Sequence, residues 1–189
     1  MTDLELLSAW RAGDARAGEQ LVARHWGVVS RFVRGKLGDD DGADLIAQTF
    51  LACVEAKDRI AGDDVRCYLL ATARRRLADH WRRRARAPEL DLARSSLADL
   101  QPGPATQLDR LQRTELLREG LARIPLDDQL ALELQYFEGL STAEIASVLD
   151  IPENTVRSRL SRARDKLRAQ LAALATPDDA ALADSQLDR

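Results

Sequence analysis

The sequence predicts an all-α protein with two small helical domains joined by a flexible linker, the second of them carrying a helix-turn-helix. Hydrophobic residues make up 45% of the 189 positions and aromatic residues only 4%, and the abundant alanine, leucine and arginine favour helices over strands. Apolar residues recur at spacings of three and four, as along one side of a helix. Between two such regions, residues 88–109 combine prolines with an acidic balance, which is typical of a linker.

The first domain, residues 1–87, is predicted to begin with a short helix. Thr2 and Glu5 have the spacing of a capping box, and Gly13 ends the helix. A second helix is predicted over about residues 15–37. The apolar positions that we expect to be buried in these two helices are Leu4, Leu6, Leu7, Trp10, Leu21, Val22, Val28, Val29, Phe32 and Val33.

Two polar stretches divide the rest of this domain. Residues 38–42 are predicted to form a loop, after which a third helix carries Leu45, Ile46, Phe50, Leu51 and Val54 on its apolar side. Residues 57–63 are too polar and too short to form an element, so they are interpreted as a second loop. Asp64 is then expected to cap a fourth helix over about residues 65–87.

The second half of that fourth helix is strongly basic. It carries seven arginines, which are Arg74, Arg75, Arg76, Arg82, Arg83, Arg84 and Arg86. So many like charges on one helix repel each other unless a polyanion lies nearby, and His80 and Trp81 stand among them as groups able to stack on bases. An arginine-rich helix exposed to water is the alternative, and Trp81 fits the core equally well.

Residues 141–174, in the second domain (residues 110–174), are predicted to form the helix-turn-helix. Ser141 and Glu144 have capping-box spacing, Asp150 and Ile151 form the turn, and Pro152 begins the second helix. Helical spacing places one apolar stripe on that helix, formed by Val156, Leu160, Ala163, Leu167 and Leu171. The acidic tail, residues 175–189, is expected to be mobile.

The opposite side of the second helix is polar. It carries Asn154, Ser158, Ser161 and Arg162, with Arg157, Arg164 and Arg168 along one flank and Arg159 and Lys166 along the other. Small polar groups between basic flanks suit a helix in the DNA major groove, where base edges face the helix and phosphates lie on either side. An ordinary amphipathic helix with a solvated polar face is the alternative interpretation.

Composition and motifs exclude several other classes of protein. The net charge of −3 is unevenly distributed, so the arginine-rich helix still presents a strong local positive charge. Cys53 and Cys67 lie among apolar positions and are expected to be small core residues. A zinc site would need cysteines beside the histidines, and neither His25 nor His80 has one. Neither a catalytic motif nor an apolar run of about 18 residues is present. We therefore expect a cytoplasmic binding protein without a metal or cofactor, not an enzyme.

The order of these parts resembles the extracytoplasmic-function (ECF) sigma factors of bacterial RNA polymerase. Three stretches carry the resemblance: DLIAQTF at residues 44–50, DVRCYLLATARRRLADHWRRR at residues 64–84, and the segment from Leu121 to Leu171 that contains the helix-turn-helix. The resemblance implies a first domain that docks on the core polymerase and holds the single-stranded minus-10 element, and a second domain that recognises the duplex minus-35 element.

The resemblance also implies a set of site residues and partners. Polymerase binding is expected at Asp44 and Gln48, with the beta-prime clamp and beta flap as the polymerase surfaces. Minus-10 contacts are expected from Arg59, Arg74, Arg75, Asp79, His80, Arg82 and Arg83. Minus-35 contacts are expected from Asn154, Thr155, Arg157, Ser158, Ser161 and Arg162. The linker would pass through the product channel, and an anti-sigma factor is expected to cover the polymerase-binding surface.

The chain departs from similar proteins at three places. They usually have glutamine then glutamate where Ala47 and Gln48 stand, often asparagine in place of Arg75, and an aromatic residue in place of Ile60. Both Arg75 and Ile60 are expected to lie near the base pocket.

Two other functions are alternatives to this interpretation. One is a stand-alone helix-turn-helix regulator that binds operator DNA, and the other is a nucleic-acid-processing enzyme, which would need clustered metal-binding carboxylates.

Overall fold

The computed structural model describes residues 1–61, 64–85 and 116–174, and these parts are helical without any strand. The chain is therefore all-α over the described residues, as predicted. It divides into two compact units. The N-terminal unit contains α1 (Asp3–Arg11), α2 (Ala15–Ala56) and α3 (Val65–Ala85). The C-terminal unit contains α4, described over residues 116–122, followed by α5 (Leu126–Tyr136), the first part of α6 (Thr142–Leu149) as far as Ala146, and α7 (Glu153–Leu174).

The capping box predicted for α1 is present. The Thr2 hydroxyl accepts a hydrogen bond from the Glu5 amide at 3.3 Å, and the Glu5 carboxylate accepts one from the Thr2 amide at 2.7 Å. The Asp3 carboxylate at the start of α1 contacts both Arg24 Nη1 and His25 Nε2 of α2 at 2.6 Å. These contacts attach α1 to the side of α2.

The loop predicted at residues 38–42 is reduced to a single non-helical residue. Gly38 has φ 73° and ψ −170°, and the residues on both sides of it are helical. One glycine at positive φ is enough to change the direction of a helix. Asp41 then lies in the first turn of the continuing segment, where negative charge favours helix. The two helices predicted on either side of residue 38 are therefore two arms of a kinked α2.

The predicted loop after α2 also contains structure. Residues Lys57–Arg59 form one turn of 3-10 helix, and Ile60 is only 4% exposed. Arg11 of α1 donates hydrogen bonds to the backbone carbonyls of Lys57, at 2.8 Å, and of Ile60. Ile60 is thus a core residue of the N-terminal unit, and its position near a base pocket stays a prediction.

Buried side chains of the C-terminal unit join its helices. The side-chain amide of Gln129 in α5 donates to the carbonyls of Leu121, at 2.5 Å, and of Ile124, at 3.2 Å, and so satisfies the end of α4. α5 also packs against α7. A Cβ added to Gly120 would lie 2.9 Å from the end of the Leu171 side chain, so a larger residue at this position would require Leu171 to move.

Most of the predicted core is buried, with exceptions in the N-terminal unit. All five residues of the α7 stripe are buried, and so are Cys53 and Cys67. Burial raises the pKa of the Cys53 thiol to about 11. Among the apolar positions at helical spacing, Leu4, Leu51 and Val54 are instead exposed, and Trp10, Val22 and Val28 are half-buried. The predictions for residues 88–109 and 175–189 lie outside the described residues.

Candidate nucleic-acid interface

The turn between α6 and α7 depends on local backbone geometry. Asp150 has φ 56°, a left-handed conformation that aspartate tolerates better than most residues. The Ile151 amide then donates to the Ala146 carbonyl at 3.2 Å, which closes the end of α6. Pro152 lies one position before the first helical residue, not at it as predicted, and its carbonyl accepts from the Val156 amide at 3.1 Å.

The beginnings of the two helices are each held by a carboxylate. At α6 the predicted capping box is present, since the Ser141 amide donates to Glu144 at 2.8 Å and the Glu144 amide donates to the Ser141 hydroxyl at 3.3 Å. At α7 the Glu153 carboxylate accepts from the Thr142 hydroxyl of α6 at 2.7 Å and from Arg157 Nη2 at 2.5 Å. Hydrogen bonding by Thr142 and then by Arg157 lowers the pKa of Glu153. Glu153 is therefore ionised at neutral pH.

Five exposed side chains form one surface of α7, which we name the outer face: Asn154, Arg157, Ser158, Ser161 and Arg162. This surface lies opposite the buried stripe. The Ser158 hydroxyl donates to the Thr155 carbonyl at 3.0 Å, and Arg162 Nε donates to the Ser158 carbonyl at 3.2 Å. Thr155, the sixth residue predicted to contact the minus-35 element, is half-buried at the edge of the outer face. The structure thus brings all six residues together on the first three turns of α7.

One of the two predicted basic flanks faces protein. Arg159 pairs with Asp127 of α5 at 3.3 Å, and Lys166 pairs with Asp128 at 2.6 Å. Asp128 is buried, and a buried carboxylate is costly unless it is paired. The lysine supplies that partner. Arg159 and Lys166 therefore join α7 to α5, and the expected contact of both flanks with phosphates stays a prediction.

In the N-terminal unit, a groove of about 310 Å³ lies between the second arm of α2 and the end of α3. Its lining residues are Asp41, Asp44, Leu45, Gln48, Arg76, Asp79, His80, Arg82 and Arg83. The two predicted polymerase-binding residues and four of the predicted minus-10 residues thus share one groove. Arg59, Arg74 and Arg75 do not line it.

A chain of hydrogen bonds crosses this groove. Arg76 Nη1 of α3 donates to Gln48 Oε1 at 2.9 Å, and Gln48 Nε2 donates to Asp44 Oδ2 at 2.5 Å. Asp79 accepts from Arg82 at 2.5 Å on the α3 side. Arg76 therefore fixes the direction of the Gln48 side chain. It lines the groove but was not among the site residues predicted from the sequence.

His80 and Trp81 lie against each other near the end of α3. Their rings meet edge to face with centroids 5.6 Å apart. Both side chains are half-buried, and the buried His80 Nε2 and Trp81 Nε1 atoms have no hydrogen-bond partner among the described residues. Trp81 therefore fits neither of its two sequence interpretations fully, since it is neither a core residue nor an open stacking platform.

The described residues hold neither a metal-binding cluster nor a membrane-spanning helix. Across residues 1–61, 64–85 and 116–174, no group of three or more His, Cys, Asp and Glu side chains could hold a metal ion. In the same part of the chain, no helix has the length and apolar character needed to cross a membrane.

Family comparisons match both units. Sigma-70 region 2 matches residues 21–87, and Sigma-70 region 4 matches residues 114–167. The ECF RNA polymerase sigma-E factor of Escherichia coli K12 is 30% identical over 180 residues, which cover 88% of this chain and 93% of the relative. The chain belongs to the ECF sigma factor family. The RNA polymerase sigma-H factor of Pseudomonas aeruginosa is 29% identical over 184 residues, covering 87% of this chain and 91% of the relative.

Solved structures of other sigma factors share the fold of this one. CnrH, in complex with the cytosolic domain of CnrY, is 25% identical with a TM-score of 0.68, covering 90% of this chain and 97% of that chain. The Bartonella quintana sigma factor RpoE, in complex with the anti-sigma factor NepR, is 20% identical with a TM-score of 0.67, covering 82% of this chain and 96% of that chain. The protein is an RNA polymerase sigma factor, and these matches do not favour the stand-alone regulator.

Two residues of this ECF sigma factor's helix-turn-helix were missed by the sequence analysis, Thr142 and Glu153. The spacing of Glu153 and Arg157 by four residues is a signal of an ion pair that was visible in the sequence. The bond from Thr142 was not, because it joins two helices across the turn.

Proposed function

We propose that this sigma factor recognises promoters with two separate surfaces. The outer face of α7 recognises the duplex minus-35 element, and the arginine-rich end of α3 holds the single-stranded minus-10 element. We assign residues 1–87 to polymerase docking and the minus-10 element, residues 110–174 to the minus-35 element, residues 88–109 to the linker and residues 175–189 to a tail. In this proposal the chain performs no catalysis, and it works in the cytoplasm on core RNA polymerase.

The observation that carries this proposal is the composition of the outer face. Arg157 is 62% exposed, and Arg162, Ser158, Ser161 and Asn154 are exposed beside it, all opposite a continuous buried stripe. An arginine can donate two hydrogen bonds to one guanine, asparagine can do the same with adenine, and serine pairs with several bases. A helix with this set of side chains at its N-terminal end is suited to direct contact with base edges.

The N-terminal surface supports a different kind of contact. Arg75, Arg82 and Arg83 are exposed, and exposed arginines neutralise phosphates in a salt-dependent, sequence-independent way. Melting a promoter costs a few kcal/mol for each base taken out of the stack. Exposed arginines at the end of α3 that bind the separated strand offset part of that cost, so they shift the equilibrium toward the open promoter.

The polymerase-docking surface is proposed to be the exposed side of the second arm of α2. Four residues share this side of the helix, because Gln48, Leu51 and Glu55 follow Asp44 by four, seven and eleven positions. Leu51 is 56% exposed and Val54, three residues later, is 45% exposed, and neighbouring exposed apolar side chains can mark a surface for protein interaction. Because Gln48 and Asp44 also line the groove, polymerase docking and strand binding would use adjoining surfaces.

We also propose that a regulatory protein of the anti-sigma kind binds this chain. The supporting observations are the two relatives solved in complex with other proteins and the exposed apolar side chains of the N-terminal unit. Trp26, which is 46% exposed, stacks on Phe50 at 5.4 Å, with Val54 exposed on the same arm of α2. Such a partner would compete with polymerase for this surface.

The test is run-off transcription with purified core polymerase, the full chain and a library of promoters varied in the upstream element. Arg157→Ala or Arg162→Ala is expected to weaken use of the preferred element by about 1 to 3 kcal/mol, about 5- to 150-fold, where the arginine binds guanine through two hydrogen bonds. Arg123→Ala is the matched control, because Arg123 is an exposed arginine of the same unit outside α7.

Two results would contradict the proposal. Specific transcription that is unchanged when the chain is omitted would show that it is not the promoter-recognition subunit. Unchanged activity and base preference in both arginine variants would show that the outer face does not contact the minus-35 element.

A further inference from the structure

Glu153 occupies an unusual place in the helix-turn-helix. It is the first residue of α7, and a single oxygen, Oε1, accepts hydrogen bonds from Thr142 of α6 at 2.7 Å and from Arg157 of α7 at 2.5 Å. An ordinary ion pair between residues i and i+4 joins two side chains of one helix. This one is also attached to the neighbouring helix, so the carboxylate has a fixed position relative to both helices.

This fixed carboxylate limits the directions that Arg157 can take. A free arginine side chain samples many rotamers, and ordering it on DNA costs conformational entropy. The bond to Glu153 uses one N–H of Nη2, while the guanidinium has five N–H donors in a planar fork. The remaining donors therefore stay available to a base edge, and the arginine is already ordered before DNA binds.

The same carboxylate has a cost near DNA. Its lowered pKa keeps it ionised at neutral pH, and a negative charge at the edge of the outer face is repelled by phosphates. It therefore weakens binding to any DNA sequence, whereas the ordered Arg157 favours only sequences with a matching base. The carboxylate is therefore expected to lower the affinity for DNA of any sequence and to raise the preference for a matching base. An experiment that measures affinity and base preference separately can distinguish these two effects.

We propose that Glu153 is a positioning residue for Arg157, held in place by Thr142, and that it increases the discrimination of this sigma factor among minus-35 sequences while lowering its affinity for non-specific duplex. This inference rests on the proposed contact of the outer face with the minus-35 element. The carboxylate itself contacts no base.

The test compares Glu153→Ala, Glu153→Gln, Arg157→Ala and the double variant Glu153→Ala/Arg157→Ala as full chains with core polymerase on a library of upstream elements. Glu153→Ala removes the acceptor oxygen, which glutamine would keep, and it is expected to reduce discrimination at the position contacted by Arg157 at least about fivefold, the fold-change that corresponds to about 1 kcal/mol at the lower end of a two-bond base contact. In the Arg157→Ala background the same substitution is expected to change base preference no further. Binding of the full chain to non-specific duplex is expected to become tighter in Glu153→Gln.

The matched control is Glu119→Gln. Glu119 pairs with Arg123 at 2.6 Å with the same spacing of four residues in the same unit, outside the helix-turn-helix. It should leave base preference and non-specific binding unchanged. Thermal unfolding of each variant checks that the C-terminal unit remains folded. Thr142→Val, which removes the hydroxyl donor, is expected to reduce discrimination at the same promoter position.

The outcomes separate this inference from the proposed function. If Arg157→Ala alters base preference but Glu153→Ala does not, the outer face is correct and the positioning role is wrong. The role is also wrong if Glu153→Ala changes base preference equally with and without Arg157. If Arg157→Ala itself has no effect on base preference, both this inference and the assignment of Arg157 to the minus-35 element are overturned.

Discussion

Replacing Leu160 by alanine tests the physical basis of promoter recognition, because the outer face exists only while the opposite stripe is buried. Leu160 is 3% exposed in the middle of that stripe, with Val156 one turn before it and Ala163 on the next turn. Substitution of a buried leucine by alanine loses the transfer free energy of the side chain and leaves a cavity, at a cost of about 2 to 5 kcal/mol. Because small domains have net stabilities of about 5 to 15 kcal/mol, this is a large fraction of the total.

The magnitude is measured as the change in the free energy of unfolding, from urea denaturation of the full chain followed by far-ultraviolet circular dichroism. Ala169→Ser is the control, because Ala169 is an exposed residue of the same helix and surface substitutions usually change stability by about 0.5 kcal/mol or less. Transcription from a minus-35-dependent promoter should fall at the temperature at which Leu160→Ala begins to unfold, and below that temperature its base preference should be that of wild type.

One result would refute the reasoning. A loss of stability as small as that of the control would mean that Leu160 is not tightly packed. The stripe would then not be the internal side of α7, and the opposite side could not be assigned to DNA from burial.

Two further predictions test how each unit is held together. Gly120→Val should destabilise the C-terminal unit by about 1 to 3 kcal/mol through overpacking against Leu171. Gly27→Ala is the control: this glycine lies in a helix with open space around it, so the change should stabilise the N-terminal unit by about 0.5 to 1 kcal/mol. Equal shifts of the two melting temperatures would contradict the close approach of α4 and α7. Burial opposes ionisation of Asp3, but the hydrogen bond from Arg24 and the charge of the adjacent histidine outweigh it and lower the pKa of Asp3. Its contribution to stability is therefore present above the unfolded-state pKa of about 3.9 and is lost as the pH falls through the lower folded-state value. Urea unfolding between pH 5 and pH 2 should show the stability advantage over Asp3→Asn shrinking toward low pH, and an advantage independent of pH would contradict this assignment.

Features that depend on neighbours in the sequence were predictable. The capping boxes at Thr2 and Ser141 were identified because both partners lie within one helical turn. The buried stripe of α7 was identified residue by residue because helical spacing alone decides which side chains share a side. The family could be recognised for the same reason, since its motifs are local patterns in a fixed order.

Features that depend on exact backbone angles, or on which elements cover a side chain, were less predictable. Residues 38–42 have the composition of a loop, yet Gly38 alone makes the change of direction and helix continues after it. Leu51 and Val54 have helical spacing with the core residues Ile46 and Phe50, yet both are exposed. Spacing identifies the apolar side of a helix, but how far that side is covered depends on the elements packed against it.

The sequence by itself determined that this chain is all-α, which side of α7 is buried and which family it belongs to, because these follow from local propensity and periodicity. Only the tertiary structure decided the partners of the charged side chains. Arg159 and Lys166 bind the aspartates of α5, Gln48 is held by Arg76, and Glu153 joins Thr142 to Arg157. The physical reason is that an ion pair or hydrogen bond needs its two groups within about 3 to 4 Å, and residues distant in the chain reach that separation only after the helices have packed.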